Sequence, residues 1–147
     1  MAVQIGAGLS TVPDPLDAGG EAATQAAAAL DGGPELVLVF ATGAHLAAPE
    51  ALLEGVQDVT STAVLLGCGA GGVLGDRREL ESGTAVAVWA ASFGAGELTP
   101  FHLRFEQDDD QPRIGGLPSI ERSMGVIMIA DPYSFPTDAL LSELALR

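Results

Sequence analysis

The residues Gly67-Cys-Gly-Ala-Gly-Gly72 follow an apolar run and carry the spacing G-x-G-x-x-G. In a dinucleotide fold such a turn lets backbone amides approach a pyrophosphate at a helix N-terminus. The surroundings argue against a nucleotide, because Val73-Leu-Gly-Asp-Arg-Arg-Glu79 has no helical period and no acidic residue closes a second strand about 20 residues on. Two readings remain: a turn joining two strands, or a loop whose bare backbone approaches some other small ligand. Arg77 and Arg78 stand beside the loop, where a guanidinium group could fork onto a ligand carboxylate. Surface pairing with Asp76, Glu79 or Glu81 is the simpler role for them.

Cys68, His45 and Asp131 each follow a run of apolar, strand-like residues, and open α/β sheets bind ligands at the carboxyl ends of their strands. A hydrolase built on them would use Cys68 as thiolate, His45 as base and Asp131 to fix the imidazole tautomer. The opposing expectation is a small buried thiol, a histidine whose nitrogens meet backbone groups, and a turn-forming aspartate before Pro132. Cys68 is followed by Gly-Ala-Gly-Gly rather than by a helix, so the sequence favours no thiol catalysis and no catalytic residue is assigned. Asp108 to Asp110 lack the alternating ligands and the bidentate Glu of a calcium loop and read as a solvated turn. Nothing in the pattern asks for a metal or a cofactor. Trp89, inside an apolar run, is expected in the core.

The elements that must position these groups belong to a chain of 147 residues, 48% hydrophobic and 18% charged, which is enough for one core and not the composition of a disordered tail. Its formal charge of −14 repels phosphate backbones and anionic lipid, so nucleic acid and membrane surfaces are poor partners. All six cations are Arg and the chain holds neither Lys nor Asn, as GC-rich bacterial coding sequences give. A single cysteine forms no internal disulfide. The first residues lack the basic start of a secretory signal, and Val59 to Gly75 is too short and glycine-rich to span a bilayer, so a cytoplasmic address is expected.

Ala2 to Leu9 reads as a strand, Glu21 to Leu30 as an alanine-rich helix after the breaker Pro13-Asp14-Pro15, and Leu36 to Ala41 as a doubly covered strand. Pro49 to Val56 is helical by spacing, and Thr62 to Leu66 is again a buried strand. Thr84 to Phe93 and Pro100 to Glu106 leave no room for a crossover helix and suggest an antiparallel hairpin, with His102 facing water. Gln107 to Pro118 reads as a loop, Val126 to Ala130 as a third buried strand, and Thr137 to Arg147 as a helix with Ala139, Leu140, Leu141 and Leu144 on one side. The expected fold is a single α/β domain over residues 1–147 with a mixed sheet: a βαβαβ start, an antiparallel hairpin and a final β-α unit.

Taken together, Leu36-Val-Leu-Val-Phe-Ala-Thr42, Val64-Leu-Leu-Gly-Cys-Gly-Ala-Gly-Gly-Val-Leu-Gly75, Arg78-Glu-Leu-Glu81, Ala85-Val-Ala-Val-Trp-Ala90 and Ile129-Ala-Asp-Pro-Tyr-Ser-Phe135 resemble the N-terminal part of FIST domains. The name stands for F-box and intracellular signal transduction. The resemblance implies an intracellular sensory module for small ligands such as amino acids, with Gly67, Cys68, Gly69, Ala70, Gly71, Gly72, Arg78 and His45 as candidate binding residues. Gly69 stands where the family's loop usually has a hydroxyl residue, which removes one ligand hydrogen bond. The family commonly carries a C-terminal FIST portion, so the chain is expected to be incomplete as a functional unit, with that portion or self-association covering leftover apolar surface. The rival readings are the Cys68/His45/Asp131 hydrolase and a protein-interaction scaffold without a ligand.

Overall fold

Gly6 and Gly8 alternate with Ile5, Ala7 and Leu9 along the first strand, β1 (Gln4–Ser10), so the middle of one of its faces is bare backbone. A helix can lie directly on such a face. The helix that does so, α1 (Pro15–Ala27), begins at Pro15 and not at Glu21. What reads as a breaker is its start signal: Asp14 Oδ1 accepts from the Asp17 N–H at 3.1 Å, and Pro15 takes the first turn, where its missing N–H is no loss. β2 (Leu36–Thr42), a 3-10 turn (Gly43–Ala47) and α2 (Pro49–Thr60) follow. The second helix runs past Val56 to a left-handed cap at Ser61, whose N–H donates to Gln57 O at 2.8 Å. β3 (Leu65–Gly69), β4 (Val73–Gly75), β5 (Arg78–Leu80) and β6 (Ala85–Ser92) complete this part of the chain.

The computed structural model describes residues 2–62, 64–94, 96–108, 111–121 and 123–145, and the chain forms two units, Met1–Leu98 and Thr99–Arg147. Expectations placed on Ala63, Asp109, Asp110, Leu146 and Arg147 lie outside the described residues. In the first unit a mixed sheet runs β1-β6-β2-β3, with β6 antiparallel to both neighbours and β2 parallel to β3. The βαβαβ start is present, with β6 inserted between its first two strands. The hairpin expected from Thr84 to Glu106 does not form, because β6 is apolar on both faces and takes a central place with both edges occupied.

Val37, Val39, Ala41, Val86, Val88 and Ala90 face the helices and pack on Ala18, Ala22, Ala23 and Ala26 of α1 and Leu52 and Val56 of α2. On the opposite face Leu9, Ala85 and Ala87 are covered by Val73, with Phe40 and Leu80 half-buried beside them. The rest of that face stays open as a shallow apolar groove of about 280 Å³, lined among others by Ala7, Leu38, Phe40, Leu74 and Trp89. Trp89 is therefore a half-buried groove wall and not a core residue. Ile5 next to it is 53% exposed.

Glu35, just before β2, ties that strand to the end of β6. Its Oε2 accepts from the Phe93 N–H, from the Gly94 N–H at 3.0 Å and from Ser92 Oγ at 3.4 Å. These donors, Phe93 foremost, outweigh partial desolvation and hold the carboxyl below the usual glutamate range. A lowered carboxyl contributes its stability in full above its unfolded-state pKa and loses it as pH falls through the folded value.

The second unit holds β7 (Arg104–Asp108), which overlaps the end of the strand expected over Pro100 to Glu106, and β8 (Gln111–Gly115), which pairs with it antiparallel where the sequence reads as loop. Its register sets Phe105 opposite Ile114. His102 is exposed, as expected. Val126 to Ala130 is not a strand: Val126, Ile127 and Ile129 are 42%, 49% and 41% exposed. A strand apolar on both faces needs ladder partners and two covering layers, and this run has no ladder partner among the described residues. In α3 (Thr137–Leu144) Leu140 is buried while Ala139 and Leu141 are exposed, so its apolar residues do not share one buried stripe.

Candidate functional site

The carboxyl ends of the parallel pair β2 and β3 form the candidate site. Half of the glycine run is strand: Gly67, Cys68 and Gly69 pair with Val39, Phe40 and Ala41. The Ala70 N–H still donates to Ala41 O at 2.9 Å, and the chain leaves the sheet at Gly71 and Gly72. No helix follows. β4 begins at once and returns as β5 through Asp76 and Arg77, both at positive φ (46° and 59°), as a two-residue hairpin turn requires. The dinucleotide geometry is therefore absent at this loop.

Gly71 has no other heavy atom within 4 Å of where a Cβ would stand, so it opens to solvent. Gly72 lines a cleft of about 350 Å³ with Val73, Leu74, Glu79, Leu80 and Glu81. The charged walls of that cleft are carboxylates. Arg78 lies on β5 opposite Gly75 and does not line it.

His45 sits in the 3-10 turn, 1% exposed, and neither ring nitrogen has a hydrogen-bond partner among the described residues. The same turn reaches β3, because a Cβ on Gly69 would stand 2.9 Å from Leu46 Cδ2. The turn is braced from the far side by two threonines that sequence reasoning passed over. Thr42 Oγ1 donates to Gly83 O at 2.9 Å and accepts from the Ala85 N–H at 3.1 Å, and Thr84 Oγ1 accepts from the Ala44 N–H at 3.0 Å. Gly43 enters the turn at φ 62°, a conformation that favours glycine. The legible signal was Thr-Gly directly after an apolar strand.

Cys68 is exposed and free, and it makes no hydrogen bond to the buried imidazole. Asp131 closes its own turn, accepting from the Tyr133 N–H at 3.0 Å and from Ser134 Oγ at 2.6 Å. Those two bonds, Ser134 first, hold its carboxyl below the usual aspartate range. Among the described residues Cys68 and His45 of the first unit are not hydrogen-bonded to each other, and Asp131 belongs to the second unit. Among the described residues no group of three or more His, Cys, Asp or Glu is arranged to hold a metal, and no helix is long and apolar enough to cross a membrane.

Fold and edge together define an open α/β domain, a class of sheet in which ligands, where bound, sit at the carboxyl ends of parallel strands. The chain belongs to the FIST N domain family, which it matches over residues 35–147, and with it to a class of signal-transduction sensory domains. It is 38% identical over 144 residues to the uncharacterized protein Rv0628c of Mycobacterium tuberculosis, covering 97% of this chain and 37% of the relative. It is 33% identical over 143 residues to the uncharacterized protein Mb0898c of Mycobacterium bovis, covering 96% of this chain and 36% of that one. The chain thus spans little more than a third of the length of these relatives.

Proposed function

We propose that this domain is a non-enzymatic cytoplasmic sensor that binds a small molecule, such as an amino acid, at the carboxyl edge of β2 and β3. The observation that carries the reading is the stretch Gly69-Ala70-Gly71-Gly72, which ends a parallel strand with no side chain larger than a methyl group and runs into a cleft. Bare backbone of this kind brings amides within reach of a ligand's polar atoms. Neither a metal nor an organic cofactor enters this reading.

Gly71→Leu tests it. Open space around Gly71 lets the larger side chain stand without a clash, so the variant should melt at the wild-type temperature. In a thermal-shift screen of the twenty L-amino acids, a ligand at 100 times its Kd adds about 2.7 kcal/mol to the wild type. That shift should vanish in Gly71→Leu, and an unchanged shift would put the site elsewhere.

The open sheet face takes a further layer, supplied by a C-terminal FIST portion or by a second copy of the chain. Ile5, Leu38, Phe40, Leu74 and Trp89 on or beside it include no charge, whereas a solvated sheet face ordinarily alternates with polar residues. Sedimentation of the isolated chain should show self-association that Trp89→Ser weakens. A strict monomer at high concentration would count against the second copy.

A further inference from the structure

We infer that His45 is the polar anchor of this carboxyl-edge site, and that the molecule it takes is small, net neutral and carries a hydrogen-bond donor and acceptor side by side, as an amino-acid zwitterion does. The inference rests on the site reading above and adds to it the residue that recognises the ligand and the movement that admits it. Buried polar atoms are almost always paired, and an unpaired one is costly enough to call for an explanation. Among the described residues His45 leaves two unpaired while 1% exposed. A neutral imidazole presents one donor and one acceptor, so its complement is a group, or a pair of groups, offering both.

The surroundings narrow the ligand's charge. Residues 42–48 and 67–75 contain no Asp, Glu, Lys or Arg, so nothing beside His45 neutralises a net ion, and the carboxylates of Glu79 and Glu81 on the cleft beyond Gly72 oppose an anion. The chain's charge of −14 opposes an anion besides. At the turn and the loop themselves, recognition is left to His45 and to backbone amides and carbonyls.

Access requires the 3-10 turn to move. Leu46, the next residue, is 48% exposed and rests on the bare Cα of Gly69, where no Cβ locks it. The start of the turn, Gly43 and Ala44, stays held against Gly83 and Thr84, so the part that moves is its Leu46 end. On this inference, lifting Leu46 off Gly69 opens the turn toward the loop that ends β3, and the ligand then meets ring nitrogens that have no partner among the described residues.

His45→Phe separates this from a packing role, since phenylalanine keeps a flat ring and removes both nitrogens. The variant should melt no lower than the wild type, because it discards unpaired polar atoms. It should bind the amino acid that shifts the wild type at least tenfold more weakly, about the effect of one lost hydrogen bond. A lower melting temperature would mean that the imidazole is paired in the protein and would overturn the inference. Equal binding by wild type and His45→Phe would remove His45 from the site while leaving the site reading intact. No shift of the wild type by any of the twenty amino acids would overturn the ligand class. A shift abolished by His45→Phe but untouched by Gly71→Leu would keep the anchor and discard the glycine loop.

Discussion

Gly8→Ala is expected to destabilise the protein by about 2 to 3 kcal/mol, the upper part of the range for forcing an extra methyl into a packed core. A Cβ on Gly8 would stand well inside van der Waals contact with the Ala22 carbonyl oxygen, and one on Gly6 would do the same at Ala26. The obstacle is backbone, which cannot rotate away as a side chain can. Nor can α1 retreat from the sheet, because its other flank is locked: Gly19 lies against the Leu52 carbonyl of α2, and Gly55 of α2 lies against the Leu16 carbonyl. Urea unfolding should show the midpoint falling with an unchanged slope, and Gly32→Ala, where a Cβ meets nothing within 4 Å, should stay at the wild-type midpoint. A Gly8→Ala midpoint equal to that of the wild type would refute the close seating of α1. The contact matters beyond β1, since Ala18, Ala22, Ala23 and Ala26 supply much of the cover over Val86, Val88 and Ala90. The segment β1-α1 precedes the span matched by the family, and it nonetheless covers the sheet that carries the site.

What was legible in the sequence were the elements whose signal is local. Leu36 to Ala41 is apolar on both faces and is a central strand, and Pro49 with its spaced leucines is a helix. Signals that depend on a partner misled. Val126 to Ala130 has the composition of a buried strand, but composition states a need for neighbours and cannot create them. Sequence proximity pairs Thr84 to Phe93 with the segment after it, whereas β1 and β2, the ladder partners of β6, come far earlier in the chain. The hairpin of β4 and β5 escaped notice because Arg77 occupies a left-handed position that ordinarily calls for Gly or Asn. At the site, the glycine run was legible as a loop, yet its first half continues β3, because glycines can pair as strand residues when a neighbouring backbone comes close. His45 was legible only as a residue after a strand. Its burial without partners among the described residues depends on the 3-10 turn, whose bracing comes in part from Thr84, far along the chain.

That bracing gives the second large effect: Thr42→Val should destabilise the protein by about 2 kcal/mol or more, because it keeps the side chain's shape and strips two backbone groups of their partner. Thr42 Oγ1 is the acceptor for the buried Ala85 N–H and the donor to Gly83 O, and Thr42 itself is buried. With valine there, the Ala85 N–H loses a bond at the place where β6 begins and where the chain next to it, Thr84, holds the turn carrying His45. Stability and ligand response are therefore expected to fall together. Thr42→Ser, which restores the hydroxyl without the methyl, should recover most of both. Amide hydrogen exchange at Ala85 reads the same bond directly, with faster exchange in Thr42→Val and near-normal protection in Thr42→Ser. A Thr42→Val protein as stable as the wild type, with Ala85 still protected, would mean that the ladder between β2 and β6 holds this corner without the hydroxyl, and the turn's position would then rest on Gly43 and Thr84 alone.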